Sequence, residues 1–254
     1  MCSKPYKPTT DCHSGQDGYR IIWTPPDLAQ PEVGYRFSSD AFLLASFARS
    51  FGGRFWCDLG TGSGVIAYTL AQGLGGEGLA FERQSALIPY ARKNLAHLPV
   101  TLVEGDLRQF PMRRHCFDLT VCNPPFFEVH AGKINQSQTI AEARHTFYGG
   151  VEAFAATVHD ALKPGGVFCF VFPYLLVERP LNNLLREGWY LAKRLFIRPF
   201  SQRDPKLVCV ALRKQAGAPV VDSEIIQYKS HRLFTDEMQF FLRDGLHPDL
   251  SMSP

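Results

Sequence analysis

Four consecutive residues, Asn123-Pro124-Pro125-Phe126, follow a short apolar run, Phe117 to Cys122, that reads as a buried strand. Neither proline can donate a backbone hydrogen bond, so the strand must stop there, and the first proline biases Asn123 toward an extended conformation. The product is a stiff turn presenting an amide side chain, bare carbonyls and an aromatic ring at a strand's carboxyl end, the edge where open α/β sheets bind ligands. Such a turn suits a planar amine or amide nitrogen, whose delocalised lone pair makes it a poor nucleophile. If its two N–H groups donate to the Asn123 side-chain oxygen and the Pro124 carbonyl, the lone pair is pushed out of plane toward an electrophile opposite. Positioning and oriented dipoles then do the catalysis. Phe126 would stack on the planar group, which for a nucleobase contributes roughly 1–3 kcal/mol. Alone, the same turn would serve equally well as an ordinary strand ending.

Three acids stand at matching places. Asp58-Leu59-Gly60-Thr61-Gly62-Ser63-Gly64 joins an apolar strand to a helix, and Gly60, Gly62 and Gly64 let backbone approach a ligand closely and turn tightly into that helix. The spacing differs from the G-x-G-x-x-G of dinucleotide sites, and an acid precedes it; Asp58 there would meet a cationic or amino-bearing ligand, which a pyrophosphate is not. Glu82 ends the next strand, where a carboxylate can accept both hydroxyls of a ribose. Asp106 ends the third, placed to take a hydrogen bond from an adenine amino group. Singly, each acid reads as surface. Jointly with the Asn-Pro-Pro turn they specify an S-adenosylmethionine site, with a nucleotide-binding or degenerate fold as the alternative.

The elements that must position these residues alternate along the chain. Strands are readable at 55–59, 78–82, 100–104, 117–122, 166–172, 190–197 and 207–212, and helices at 65–72, 84–97, 151–162 and 175–187. Strands alternating with helices mean right-handed crossovers and a mostly parallel sheet. The last two of the seven strands lie close together in the chain, so the final one is expected to insert antiparallel. Before this core, residues 19–23 read as a strand and Ser39 or Asp40 as the N-cap of a helix ending near Gly52-Gly53. The expected organisation is a flexible tail over 1–18 and a single domain over 19–254, with extensions at 19–53 and 214–254. The segment 128–146 is too long for an idle connection and follows directly on the Asn-Pro-Pro turn.

At 254 residues, 45% hydrophobic and 20% charged, the composition is that of an ordinary globular chain. No apolar run is long enough for a membrane span, the first residues carry no export signal, and a cytoplasmic location is expected. Seven cysteines, mostly within apolar runs, read as reduced core residues. Cys2, Cys12 and His13 would need a fourth ligand and better spacing to hold a metal, so no metal is expected. The net charge of +3 does not announce nucleic acid, although Arg113-Arg114-His115, Lys193-Arg194, Arg198, Arg203, Lys206 and Lys229 with His231-Arg232 are clustered; such clusters more often mark solvated surface.

Asp58–Gly64, Glu82, Asp106 and Asn123–Phe126 together resemble the class I methyltransferases that methylate planar nitrogens, the turn standing as their (D/N)-P-P-(Y/F) motif. Within that class, Gly34 to Leu44 resembles the segment preceding the glycine-rich motif in the bacterial tRNA adenine-N6-methyltransferases that act on a valine tRNA. Ala143-Arg144-His145 is similar to that family's Ala-Arg-His-Glu, with Thr146 in place of the Glu. Arg198-Pro199 with Pro205-Lys206-Leu207-Val208 resembles its late basic strand pair, and Thr235-Asp236-Glu237 before Phe240-Phe241-Leu242 its C-terminal tail. Phe126 stands where those enzymes commonly have Tyr.

The resemblance implies a Rossmann-like fold and methyl transfer from S-adenosylmethionine to N6 of the adenine at tRNA position 37. Phe37, Ser39 and Asp40 would join Asp58, Gly60, Thr61, Gly62, Gly64, Glu82, Asp106 and Asn123 around the cofactor. Arg144, His145, Arg198, Arg203 and Lys206 would meet the tRNA. A stacked base cannot present its amino group, so the target must be splayed into the pocket; loop bases, already partly unstacked, do so more cheaply. Neither a membrane nor a stable protein partner is expected. The alternatives are a glutamine-N5 methyltransferase of release factors, a guanine-N2 rRNA enzyme, or a non-catalytic binding module. The glutamine enzymes usually carry a helical N-terminal domain for which little chain precedes Asp58, and a binding-only relic would have no need of Asn123.

Overall fold

The computed structural model describes residues 24–32, 36–124, 150–231 and 233–245. The expected tail, the 19–23 strand, Phe126, Arg144, His145, the 128–146 segment, Cys2, Cys12 and His13 lie outside the described residues.

Five strands are where the apolar runs put them: β1 (Phe55–Leu59), β2 (Glu77–Glu82), β3 (Val100–Glu104), β4 (Phe117–Cys122) and β5 (Leu162–Pro173). They are mutually parallel, in the order β3-β2-β1-β4-β5. Burial of β1, β4 and β5 on both faces explains their nearly continuous apolar character. β6 (Tyr190–Arg198) and β7 (Leu207–Arg213) form a hairpin, and β7 inserts antiparallel between β5 and β6, as the close spacing predicts.

The expected count of seven is corrected to eight. β8 (Val221–Ile226) adds to the outer edge, parallel to β6. Its sequence, VDSEII, alternates because only one side of it is covered, and its two acids disguise it: Asp222 and Glu224 pair with Arg194 and Arg198 of β6. The 214–254 extension therefore completes the sheet. It continues into a small hairpin, β9 (Tyr228–Ser230) with β10 (Leu233–Phe234).

Helices cover both faces. On one lie α1 (Ser39–Arg49), α2 (Val65–Gly73), α3 (Ile88–Asn94) and the C-terminal α6 (Asp236–Asp244); on the other lie α4 (Gly150–Val158) and α5 (Glu178–Arg186). The α1 N-cap is Ser38, ahead of the expected Ser39 or Asp40, both of which lie inside the helix. Three helices are shorter than periodicity suggests: α4 stops at Val158 and the expected helical end, Leu162, instead begins β5, while α3 and α5 start late at prolines. Pro89 lies in the first turn of α3 and Pro180 in that of α5, the part of a helix that tolerates a missing N–H. Residues 174–176, expected to be helical, instead form a short 3₁₀ turn. α6 docks on α1 through Arg49, which donates to the Arg243 carbonyl at 3.0 Å. In β2, Gly78 lies opposite Trp56, and a Cβ there would sit 2.2 Å from the indole ring, so that crossing requires glycine.

Between β3 and β4 there is only a 3₁₀ turn, Leu107–Gln109, and irregular chain. Beneath it is an apolar cavity of about 510 Å³ lined by Phe55, Leu79, Phe81 and Phe117 among others, and by none of the expected site residues. Among the described residues no helix is long and apolar enough to cross a membrane, and no cluster of His, Cys, Asp and Glu could hold a metal.

Candidate active site

The order β3-β2-β1-β4-β5 reverses direction between β1 and β4, and a crevice opens above such a switch point. Leu59 of β1 is paired with Cys122 of β4 and Phe81 of β2, so the next residues, Gly60, Asn123 and Glu82, emerge side by side at one edge. β3 adds Asp106 to the same edge, Glu82 being paired with Glu104. Sequence positions that lie far apart thus share one rim.

Asp58 is fully buried. Its Oδ2 accepts from the Thr61 hydroxyl at 2.5 Å and the Ala67 amide at 3.1 Å, folding the glycine-rich loop back on its own strand, while Oδ1 has no partner among the described residues. Burial pushes the carboxyl up to about 7; the hydrogen bonds from Thr61 and Ala67 oppose that rise, and the nearby Glu82 adds to it. Glu82 is also buried. Its Oε2 accepts from the Gly62 amide and its Oε1 from the Gln84 amide, both at 2.7 Å. Two buried carboxylates, one with an oxygen left over, are costly without a counter-charge or donors, and a ligand with a cationic end and hydroxyls would supply both.

Gly64 ends the loop with φ +88°; a Cβ there would sit 3.1 Å from Leu95, so the loop lies directly on the α3 end of the neighbouring unit. Asn94 holds that contact. Its amide nitrogen donates to the carbonyls of Ser63 and Ala29, and its oxygen accepts from the Ala29 amide, all at 2.8 Å. Sequence reasoning missed this residue, although a signal existed: Ile88, Ala91 and Asn94 form the buried stripe of α3, and an amide on an apolar stripe needs partners.

Asp106 is less available than expected. Both its oxygens are held by the Arg108 guanidinium, with Arg83 at 3.8 Å, and the Arg108 hydrogen bonds bring its carboxyl down to about 2. It keeps spare acceptor capacity for an amino group but is no longer a free charge. Asn123, half-buried, makes no side-chain hydrogen bond among the described residues, and the following Pro124 is buried. An amide at the end of β4, beside the glycine loop and not engaged by any described residue, is what the nitrogen-orienting chemistry requires.

A family model described as a methyltransferase domain matches residues 53–207. The chain belongs to this family of methyltransferase domains. A tRNA1(Val) (adenine(37)-N6)-methyltransferase of Citrobacter koseri is 29% identical over 79% of this chain and 84% of its own, and one of Serratia proteamaculans is 26% identical over 85% of each. Among solved structures, a predicted O-methyltransferase from Agrobacterium tumefaciens superposes with a TM-score of 0.61 at 18% identity, covering 82% of this chain and 98% of that one, which shows a common fold.

In this methyltransferase the remaining expected residues are dispersed. Phe37 packs edge-on against Phe42 at 5.8 Å. The Ser39 hydroxyl donates to Asp40 at 3.5 Å; burial raises Cys209 and Tyr228, and the Asp40 charge adds to both rises. The first turn of α1 therefore lies near β7 and β9, and among the described residues no hydrogen bond joins it to the glycine loop. The β6–β7 hairpin stands on the carboxyl edge, because β6 runs parallel to β1–β5 across the antiparallel β7. There Arg198 is already engaged: it pairs with Glu224 at 2.6 Å and donates to the Arg203 carbonyl at 2.7 Å, bracing the hairpin. Arg203 and Lys206 are exposed. Cys57, Cys122, Cys169 and Cys209 are buried free thiols, all pushed up by desolvation.

Proposed function

We propose that this chain uses S-adenosylmethionine to methylate N6 of an adenine in tRNA, at anticodon-loop position 37 of a valine tRNA. The observation that carries the reading is the Asn123 amide at the end of β4, beside the Asp58–Gly64 loop and without a side-chain hydrogen bond among the described residues, in a chain whose relatives over four-fifths of its length bear that activity in their names. Residues 19–254 act in this reading as one methyltransferase domain, working in the cytoplasm where tRNA is found.

S-adenosylmethionine supplies an electrophilic methyl group. Asp58 would face its ammonium with the unpartnered Oδ1, Glu82 its ribose, and Asp106, through the acceptor capacity left by Arg108, its adenine. The Asn123 oxygen and Pro124 carbonyl would accept the two N–H bonds of the target, turning its lone pair toward the β1 side of the edge. Phe126 would stack on the base. No strong base is needed, because the proton leaves readily once the nitrogen has become cationic, and neither His145 nor any other histidine is assigned proton transfer.

The test is incubation with radiolabelled S-adenosylmethionine and total tRNA, total rRNA and release factors in parallel. Label in tRNA, as N6-methyladenine after digestion, is the expected result; label only in rRNA or in a release-factor glutamine would overturn the assignment while leaving the planar-nitrogen chemistry standing.

A further inference from the structure

The cofactor residues occupy the β1-β2-β3 half of the carboxyl edge, and Asn123 stands at its boundary. A substrate must therefore approach over β5 and the β6–β7 hairpin. In that half the chain departs from ordinary surface. β5 runs into the 3₁₀ turn Tyr174–Leu176, where Leu175 is 86% and Leu176 48% exposed. Leu175 is by far the most exposed large apolar residue of the described chain, and its neighbour Leu176 is half exposed beside it, so the two contribute little to the core there. The turn is held rigidly, since the Tyr174 amide donates to the Lys206 carbonyl at 3.0 Å and the Tyr174 ring meets Phe196 edge-on at 5.9 Å.

Register fixes its height. Cys122 pairs with Phe170, so Asn123 is level with Val171 and Tyr174 lies three residues further on, about 10 Å beyond along the strand direction. Arg179 follows three residues after Leu176, and the hairpin that carries Arg203 and Lys206 is bonded to the turn through the Lys206 carbonyl; all three cations are exposed and without ion pairs among the described residues. Against them stand two acids, Asp204, exposed in the hairpin, and Glu178, which lies in the field of Arg194.

We propose that Leu175 and Leu176 form an apolar step that packs against the nucleobase neighbouring the target, in single-stranded RNA held by the flanking cations. This rests on the reading of the substrate as RNA. Extracting one base from a loop exposes the face of its neighbour, and apolar wedges, leucine among them, are used against unstacked steps. The cations meet phosphates, which every sequence has; the leucines meet a base face that exists only once the target is splayed.

The experiment compares wild type, the pair Leu175→Ser with Leu176→Ser, and the conservative pair Leu175→Met with Leu176→Met. The probe is a synthetic valine-tRNA anticodon stem-loop with unmodified adenine at position 37. Substitutions this exposed should leave the fold standing, and unchanged S-adenosylmethionine affinity verifies it. The expected result is a KM for RNA raised about tenfold or more in the serine pair, on the scale of burying a leucine side chain, and restored by methionine. The dependence of RNA affinity on salt should keep its slope, whereas Arg203→Ala with Lys206→Ala should flatten it by about 0.7 for each phosphate no longer neutralised. An unchanged KM in the serine pair, with wild type active on the RNA, overturns the step and leaves the proposed function intact. A wild type that methylates a release factor and no RNA overturns both.

Discussion

Glu82 and Gly62 are joined by a 2.7 Å hydrogen bond from the Gly62 amide to a buried carboxylate oxygen, while the other oxygen receives the Gln84 amide. The acid expected to meet a ribose thus also holds the glycine loop in shape. Glu82→Gln keeps one acceptor but turns a donor toward a backbone N–H. Hydrogen bonds to charged groups contribute about 1.5–3 kcal/mol, so S-adenosylmethionine affinity should fall tenfold or more by titration calorimetry, accompanied by a lower melting temperature of the cofactor-free protein.

Asp58 predicts a pH dependence of opposite sense to that of an exposed ion pair. Its folded-state pKa rises from 3.8 to about 7, so between these values the folded chain holds a proton that the unfolded chain has released. Stability should fall as pH rises from about 4 to about 7 and level off above. Asp106, lowered to about 2, acts in a separate window, its contribution being lost as pH falls from about 4 to about 2. Denaturant unfolding at pH 4.5, 6 and 7.5 should show a slope in wild type that Asp58→Asn removes. A cationic ligand favours the ionised acid, so cofactor affinity should climb with pH up to about 7, and this climb too should vanish in Asp58→Asn.

Asn123→Ala removes an acceptor that matters most as positive charge develops on the target nitrogen. Deleting a preorganised group of this kind costs about 2.7–4 kcal/mol, or a hundredfold or more in single-turnover rate, with cofactor affinity nearly unchanged. Wild-type turnover in this variant would sink the nitrogen-orienting mechanism.

Arg198 and its two neighbours should separate in their effects. Because Arg198 is bound to Glu224 and to the Arg203 carbonyl, Arg198→Ala should lower the melting temperature and leave Glu224 unpaired. Arg203→Ala and Lys206→Ala should leave melting alone and weaken RNA binding most at low salt. Thermal scans beside filter binding at two salt concentrations distinguish them.

Much of this was legible in the chain itself. β1 and β4 have the ends their apolar runs announced, because strands covered on both faces must be apolar throughout; the edge strand β3, none of whose residues is buried, was read from its short β-branched run. The antiparallel β7 followed from the short connection before it. Asp58, Glu82, Asp106 and Asn123 were identifiable as strand-ending residues, since a parallel sheet brings all such ends to one edge. What the sequence could not show is how those groups are occupied. That Glu82 grips Gly62, that Arg108 takes both oxygens of Asp106 and that Arg198 is neutralised from β8 are outcomes of side-chain reach across elements, to which local patterning is blind. β8 itself escaped notice because its acids suit an edge strand whose neighbour is basic, a pairing that exists only in three dimensions. Asn94 looks like a flaw in an apolar stripe until Ala29 and Ser63 arrive from elsewhere in the chain to use all three of its hydrogen bonds. Spacing determined which residues end at the carboxyl edge of the sheet; packing decided which of them are already bound by their neighbours.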